Sequence, residues 1–131
     1  HRDLHSFPTR RSSDLISKPL VVLVDGGSAS ASEILSGALK DYHKAKLVGT
    51  KTFGKGMVQK IIPLPNETGL NLTVAKYLTP AGIDINKKGI QPDITVNFTL
   101  NDMKNNNDVQ LNMAKKVLTQ TIEESKLTKA H

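Results

Sequence analysis

The clearest hydrophobic pattern in the chain is a short apolar run, Pro19 to Val24. A run of this length, apolar on both faces, predicts a buried central strand of a covered sheet. It stops at a polar glycine pair, Asp25 to Ser28, which permits a tight turn, and apolar residues then recur at helical spacing from Ala31 to Leu39. A second short strand is predicted at Lys46 to Val48. These patterns predict a strand, a sharp turn, a crossover helix and a neighbouring strand.

The second half of the chain changes to a period of two. Val58 to Ile62 and Leu70 to Tyr77 predict the two strands of a hairpin, with the turn at Asn66 to Gly69. The alternation in Leu70 to Tyr77 predicts that one face of this strand is buried. The polar segment 101–108 is interpreted as a solvated linker, followed by a helix from about Asp108. The predicted core stripe of that helix consists of Val109, Met113, Val117, Leu118 and Ile122.

The N-terminal segment, here called the head of the chain, differs in composition from the rest. All three arginines lie within the first eleven of the 131 residues, and every later basic residue is lysine. Residues 1–15 resemble a translated sequencing adaptor, so we exclude them from the prediction of the fold. The remaining chain is divided into a catalytic-core segment, residues 16–100, and a polar linker with a C-terminal helix, residues 101–131.

Composition excludes several classes of function. The chain has no cysteine, and three of its four histidines are at its ends, so neither a metal site nor a cofactor is expected. No apolar run approaches the roughly 18 to 20 residues of a membrane span. The net charge of +6 comes from scattered lysines with few aromatics, which does not support binding to nucleic acid.

Two loops carry candidate chemistry. The turn before the first helix places Ser30 at the helix N-terminus, where free N–H groups can stabilise an oxyanion. Ser30 and Glu33 also fit a capping box, so Ser30 is either a nucleophile or a cap.

The second loop, residues 49–56, matches the phosphate-loop pattern except at its last position, where Gly56 replaces Ser or Thr, so nucleotide binding is not expected. Lys55 could instead be a base, with its amine partly desolvated beside Phe53, Met57 and Val58, or it could be an ordinary surface lysine.

Taken together, the two loops resemble the C-terminal processing peptidases, a family of serine-lysine endopeptidases. The matching segments, in the family's order, are VVLVDGGSASASEI (21–34), KTFGKGMVQ (51–59), GLNLTVAKYLTPAG (69–82) and KGIQPDI (88–94). The sequence of the matching segments is most similar to the cyanobacterial and plastid branch of this family. The resemblance covers Lys18 to Val96 and implies an α/β fold, a partial serine-peptidase core of the ClpP/crotonase-like type.

The resemblance also implies the roles of four residues. Ser30 would be the nucleophile, Lys55 the general base, and Gln59 the residue that orients the lysine amine, while the backbone N–H of Ala31 would be an oxyanion donor. The expected activity is cleavage of protein substrates near their C-termini, outside the cytoplasm or in an organelle lumen. The family's second oxyanion donor and its PDZ-like domain do not occur in this sequence, so we expect the piece to be inactive alone.

Other interpretations remain. Asp41 is interpreted as a surface acid between Lys40 and Lys44, and His43 as a solvated helix-end histidine. The alternative function is a non-catalytic ligand-binding module on the same core.

Overall fold

The computed structural model describes residues 18–129, and the head interpreted as adaptor-derived, residues 1–15, lies outside them. The described chain is a mixed α/β structure. Its elements are β1 (Val21–Val24), α1 (Ala31–Asp41), β2 (Lys46–Gly49), β3 (Met57–Leu64), β4 (Thr68–Lys76), β5 (Ile94–Thr95), α2 (Leu100–Lys104) and α3 (Val109–Lys129).

The described strands form two sheets. The first is parallel, with the order β1-β2-β5 and the register Val21 opposite Lys46. Helix α1 connects β1 to the parallel strand β2, as the sequence predicts. The second sheet is the predicted antiparallel hairpin of β3 and β4, with Leu64 opposite Thr68.

The core lies on both faces of the parallel sheet. Successive residues of a strand point to opposite faces, and β2 shows this directly, because Leu47 and Val48 are both fully buried but belong to different apolar clusters. The cluster of Leu47 contains Val24, Ile85 and Ile90, whereas that of Val48 contains Ala114 and Val117 of α3. The sheet is thus covered on one face by α3 and on the other by residues 85–90 and α1.

Strand β1 is less buried than the sequence predicts. It lies at an edge of the described three-stranded sheet rather than in its centre, and Leu23 is 45% exposed. Only Val24 of this strand is buried, because within residues 18–129 the strand pairs on one side alone.

The buried faces of two helices also differ from the predicted stripes. In α1 the buried positions are Glu33, Ser36 and Gly37. The Glu33 carboxylate bonds to the loop at residues 52–55, and Gly37 lies against the side chain of Ile90. In α3 the most buried residues are Ala114 and Val117, which pack with Met113 against the sheet, whereas Ile122 is 37% exposed.

A short helix occupies part of the predicted linker. Helix α2 begins after Thr99, whose backbone N–H donates to the Asp102 carboxylate at 2.9 Å and whose hydroxyl accepts from the N–H of Asp102 at 3.2 Å. This reciprocal pair is a local capping box, which stabilises one helical turn without a core. Every residue from Asn101 to Asn107 except Asp102 is exposed, so the solvated character of the segment is as predicted.

Candidate active site

The turn that leads into α1 is stabilised by hydrogen bonds between its own polar groups. The Asp25 carboxylate accepts the backbone N–H of Gly27 at 2.9 Å and that of Ser28 at 3.0 Å. The carbonyl of Ser28 in turn accepts the N–H of Phe53 at 3.0 Å. Since Phe53 belongs to the loop that carries Lys55, this bond ties the two candidate loops together.

Ser30 has an unusual backbone conformation. Its φ of 56° and ψ of −115° place this non-glycine residue outside the conformations that L-residues ordinarily adopt. Such strain costs on the order of 1–3 kcal/mol and persists only where the surrounding structure enforces it. A serine on a sharp, strained turn between a strand and a helix is also the arrangement of the nucleophile in α/β-hydrolases.

Ser30 and Glu33 take the two positions of a capping box, as their spacing suggests. Glu33 Oε2 accepts the backbone N–H of Ser30 at 3.0 Å, which is the acidic half of that motif. The Ser30 side chain makes no capping hydrogen bond of its own. Ser30 is one of the residues that line a cavity of about 390 Å³.

Glu33 is the central polar residue of the site. It is completely buried, and its carboxylate accepts four hydrogen bonds. Oε1 accepts from the Thr52 hydroxyl at 2.6 Å and the N–H of Gly54 at 2.7 Å, while Oε2 accepts from the N–H of Lys55 at 2.8 Å as well as from that of Ser30. One carboxylate therefore holds the backbones of both candidate catalytic residues.

The ionisation of Glu33 follows from the same contacts. Burial raises the pKa of a carboxyl group, but the hydrogen bonds from Thr52, Lys55, Gly54 and Ser30 outweigh it, so the pKa of Glu33 lies below its ordinary value. Glu33 is thus an anion at neutral pH, which matches its four donors.

The loop that carries Lys55 packs closely on residues 85–90. Gly54 has a φ of 91°, and a Cβ there would lie 2.8 Å from the backbone N of Gly89, so a side chain would be excluded. The Thr52 hydroxyl accepts the N–H of Ile90 at 2.7 Å, and the carbonyl of Ile90 accepts the N–H of Thr52 at 3.1 Å. The backbone of this loop is therefore fixed from two sides.

Lys55 and Gln59 line the same cavity as Ser30, together with Met57, Val58, Ile61, Asn71 and Tyr77. The structure thus brings together three side chains that the sequence places 25 and 4 residues apart. Among residues 18–129 no hydrogen bond joins Gln59 to Lys55, although both residues line the cavity, and the orienting role of Gln59 stays a prediction.

The expected desolvation of Lys55 is not present in the described structure. Lys55 is exposed, and Phe53, which was expected to cover it, is itself 66% exposed. The loop holds the lysine through its backbone, and its side chain faces an open cavity.

A bulge lies next to Gln59 in the hairpin. Val58 is opposite Ala75 and Gln59 is opposite Thr73, so Val74 is the extra residue. Bulges change the direction of neighbouring side chains and are common beside active sites. Gln59 and Ile61 follow this irregularity on one face of β3, beside the cavity.

Ala31 is the first residue of α1, so its N–H belongs to the group of helix donors that have no partner within the helix. Among the hydrogen bonds of the described residues, this N–H has no acceptor. It is adjacent to Ser30, which is where an oxyanion donor would be needed.

Asp41 and His43 lie away from the cavity. Asp41 is more than the surface acid that the sequence predicts, because its carboxylate accepts the N–H of Ala81 at 2.8 Å, and hydrogen bonds from Thr79 and Ala81 hold its pKa below the ordinary value. His43 is exposed, as predicted, and ends α1 in a left-handed conformation with a φ of 52°.

Sequence reasoning missed Glu33 and Thr52 as parts of the site. The pattern around Glu33 indicated only a capping box, and nothing in the sequence shows that its carboxylate reaches a loop some twenty residues away. The helical pattern misleads here, because it predicts burial of the apolar positions, whereas Leu35 is 62% exposed and Glu33 is fully buried.

Two further properties concern the described residues alone. Residues 18–129 contain no cluster of histidine, aspartate and glutamate side chains that could hold a metal ion. No helix in the same range is long and apolar enough to cross a membrane.

Comparison with known proteins identifies the family. The model of peptidase family S41 matches residues 3–96. The carboxy-terminal-processing protease of Bartonella bacilliformis is 52% identical over 94 residues, covering 72% of this chain and 22% of that protein. The carboxyl-terminal-processing protease of Picosynechococcus sp. is 58% identical over 82 residues, covering 63% of this chain and 20% of that protein. The chain therefore spans about a fifth of the length of these curated relatives.

A solved structure agrees with this assignment. The photosystem II D1 C-terminal processing protease is 52% identical and superposes with a TM-score of 0.58 over 62% of this chain and 21% of its own. The α/β peptidase core that the sequence resemblance implies is thereby confirmed. The sequence motifs, the fold and the family model all agree, and the chain belongs to peptidase family S41.

Proposed function

We propose that this chain carries the nucleophile and the base of a serine-type endopeptidase that cleaves protein substrates near their C-termini. One observation carries the proposal: Ser30, on a strained turn, shares a single cavity with Lys55 and Gln59. Relatives named as carboxyl-terminal-processing proteases give the substrate class.

The proposed reaction is acyl transfer. Lys55, as a neutral amine, accepts the proton of the Ser30 hydroxyl while Oγ forms a bond to the scissile carbonyl carbon. The carbonyl oxygen becomes an oxyanion and accepts a hydrogen bond from the N–H of Ala31. The C–N bond then breaks, and the Lys55 ammonium donates its proton to the leaving amine.

Water completes the cycle. Lys55 accepts a proton from water as the water oxygen attacks the acyl carbon, and the ester bond to Ser30 breaks when the proton returns to Oγ. Gln59 contributes by orienting the lysine amine from β3. A substrate peptide seated against Met57 and Val58 would exclude water from the cavity.

The compartment in which the protein acts is part of the same proposal. We propose that the protein acts outside the cytoplasm or in an organelle lumen, because one relative is named a chloroplastic C-terminal processing peptidase. Protease accessibility of the tagged protein in intact cells or isolated organelles would test this location.

The activity is tested by peptide cleavage in the complete natural protein. Peptides with a free C-terminal carboxylate are compared with their C-terminally amidated forms, using the wild type and the variants Ser30→Ala, Lys55→Gln and Gln59→Ala. Lys51→Gln is the matched control, because Lys51 is an exposed lysine of the same loop.

We expect Ser30→Ala and Lys55→Gln to lose about a thousandfold or more in kcat. Lys51→Gln should retain wild-type activity, and Gln59→Ala should lose less than the lysine variant. Cleavage by Ser30→Ala at the wild-type rate would contradict the proposal. Peptide binding without cleavage by the wild type would favour the alternative, a non-catalytic binding module.

A further inference from the structure

We infer that Thr52 is a positioning residue of the active site, which acts through Glu33 to fix the backbones of Ser30 and Lys55. The inference rests on the proposed function for its catalytic consequence. Its structural basis is a continuous set of hydrogen bonds from residue 90 to the two catalytic loops.

The Thr52 hydroxyl has both its partners in the protein interior. The residue is 4% exposed, and its Oγ1 donates to Glu33 Oε1 at 2.6 Å while it accepts the N–H of Ile90 at 2.7 Å. The direction of the hydroxyl proton is determined, because an ionised carboxylate can only accept and a backbone N–H can only donate.

This hydroxyl completes the set of donors around Glu33. Oε1 has two donors, Thr52 and Gly54, and Oε2 has two donors, Ser30 and Lys55. A carboxylate is planar, so fixing Oε1 also fixes where Oε2 lies. Without the hydroxyl, Oε1 would keep one donor, and the carboxylate could rotate away from the N–H groups of Ser30 and Lys55.

The consequence for catalysis depends on the distance between Ser30 and Lys55. Ser30 and Lys55 come from different loops, and Glu33 contacts the backbone of both. A displacement of about 1 Å between reacting groups can cost about a hundredfold in rate. Thr52 would therefore affect turnover without touching the substrate.

Three substitutions separate the hydroxyl from the volume of the side chain. Thr52→Val keeps the shape and removes the hydroxyl, and Thr52→Ser keeps the hydroxyl and removes the methyl group. Thr52→Cys offers a weak donor in a similar volume. In the complete protein, we expect Thr52→Val to lower kcat about 10- to 100-fold with KM within about threefold of wild type. Thr52→Ser should stay within about threefold, and Thr52→Cys should fall between them.

Amide hydrogen exchange provides a readout that does not depend on proteolysis. Thr52→Val should lower protection of the N–H groups of Ser30 and Lys55 by about tenfold or more. Protection of Leu47 and Val48 in the core should not change. If the role of Thr52 were purely structural, Thr52→Val would lower amide protection across the core, and Thr52→Ser would not restore it.

Two results would overturn the inference. The first is a Thr52→Val protein with wild-type kcat and wild-type exchange at Ser30 and Lys55. The second is an equal loss of kcat in Thr52→Val and Thr52→Ser. If Thr52→Val does not fold, the comparison of Thr52→Cys with Thr52→Ser decides, and equal kcat values in those two would refute the role of the hydroxyl.

Failure of the proposed function is distinguishable from failure of the inference. If Ser30→Ala cleaves peptide at the wild-type rate, the dyad is wrong, whatever Thr52 does. The exchange experiment still tests whether Thr52 holds the two loops together through Glu33.

Discussion

Replacing the buried Glu33 by glutamine should destabilise the fold strongly, although the two side chains have almost the same size. The carboxylate accepts four hydrogen bonds, two on each oxygen. Glutamine keeps one acceptor oxygen, but its NH₂ group would face two donors that it cannot accept from. Each buried donor left without an acceptor costs about 1–3 kcal/mol, so Glu33→Gln should cost about 2–6 kcal/mol.

The assay is urea unfolding followed by circular dichroism, with Glu123→Gln as the control. Glu123 is exposed on α3, so its substitution should change the free energy of unfolding by less than about 0.5 kcal/mol. A Glu33→Gln protein within about 0.5 kcal/mol of wild type would refute the role assigned to the carboxylate.

The pH dependence of the difference in unfolding free energy between wild type and Glu33→Gln gives a second test. Because the pKa of Glu33 is lower in the folded protein than its ordinary value of 4.5, the ionised group stabilises the fold fully above about pH 4.5. That stabilisation is lost as the pH falls through the folded-state pKa. The difference between wild type and Glu33→Gln should therefore shrink below about pH 4.5, and a difference that grows on acidification would contradict the account.

Two further predictions concern backbone conformation and are measured by the midpoint of urea unfolding. Glu67→Gly should stabilise the hairpin by about 0.5–1 kcal/mol, because Glu67 has a φ of 56° and glycine has no penalty there; a lower midpoint would count against this. Gly49→Ala should destabilise by about 3 kcal/mol or prevent folding, because Gly49 has a φ of 134° and a Cβ would lie 1.9 Å from the carbonyl oxygen of Val24. Gly82→Ala serves as its comparison, since Gly82 also has a positive φ, 79°, but has no atom within 4 Å of a Cβ; equal losses in the two variants would contradict the packing argument.

Local patterns predicted most of the fold. The crossover from β1 through α1 to β2 followed from an apolar run, a glycine turn and helical spacing, and the hairpin followed from alternation around a turn. The hairpin strand β4 shows the limit of this reasoning, since its alternation predicted one buried face, yet every residue of β4 is exposed. Alternation identifies a face that can be buried, but burial depends on what packs against it.

The candidate site was predicted less completely. Ser30, Lys55 and Gln59 line one cavity, but the strain at Ser30 is a property of the turn that no residue pattern reveals. The contacts of Glu33 with the Lys55 loop join segments about twenty residues apart, and such contacts depend on how the helix sits on the sheet. The exposed state of Lys55 was likewise not predictable, because it depends on which surfaces cover the loop.

Locating the acyl group on the protein would decide whether Ser30 is the nucleophile. The complete wild-type protein and its Lys55→Gln variant are treated with a serine-reactive acylating probe, digested and analysed by mass spectrometry. We expect an adduct on Ser30 in the wild type, with labelling of the Lys55→Gln variant at least about a hundredfold slower. An adduct on another residue, or equal labelling of Ser30 in both proteins, would contradict this expectation.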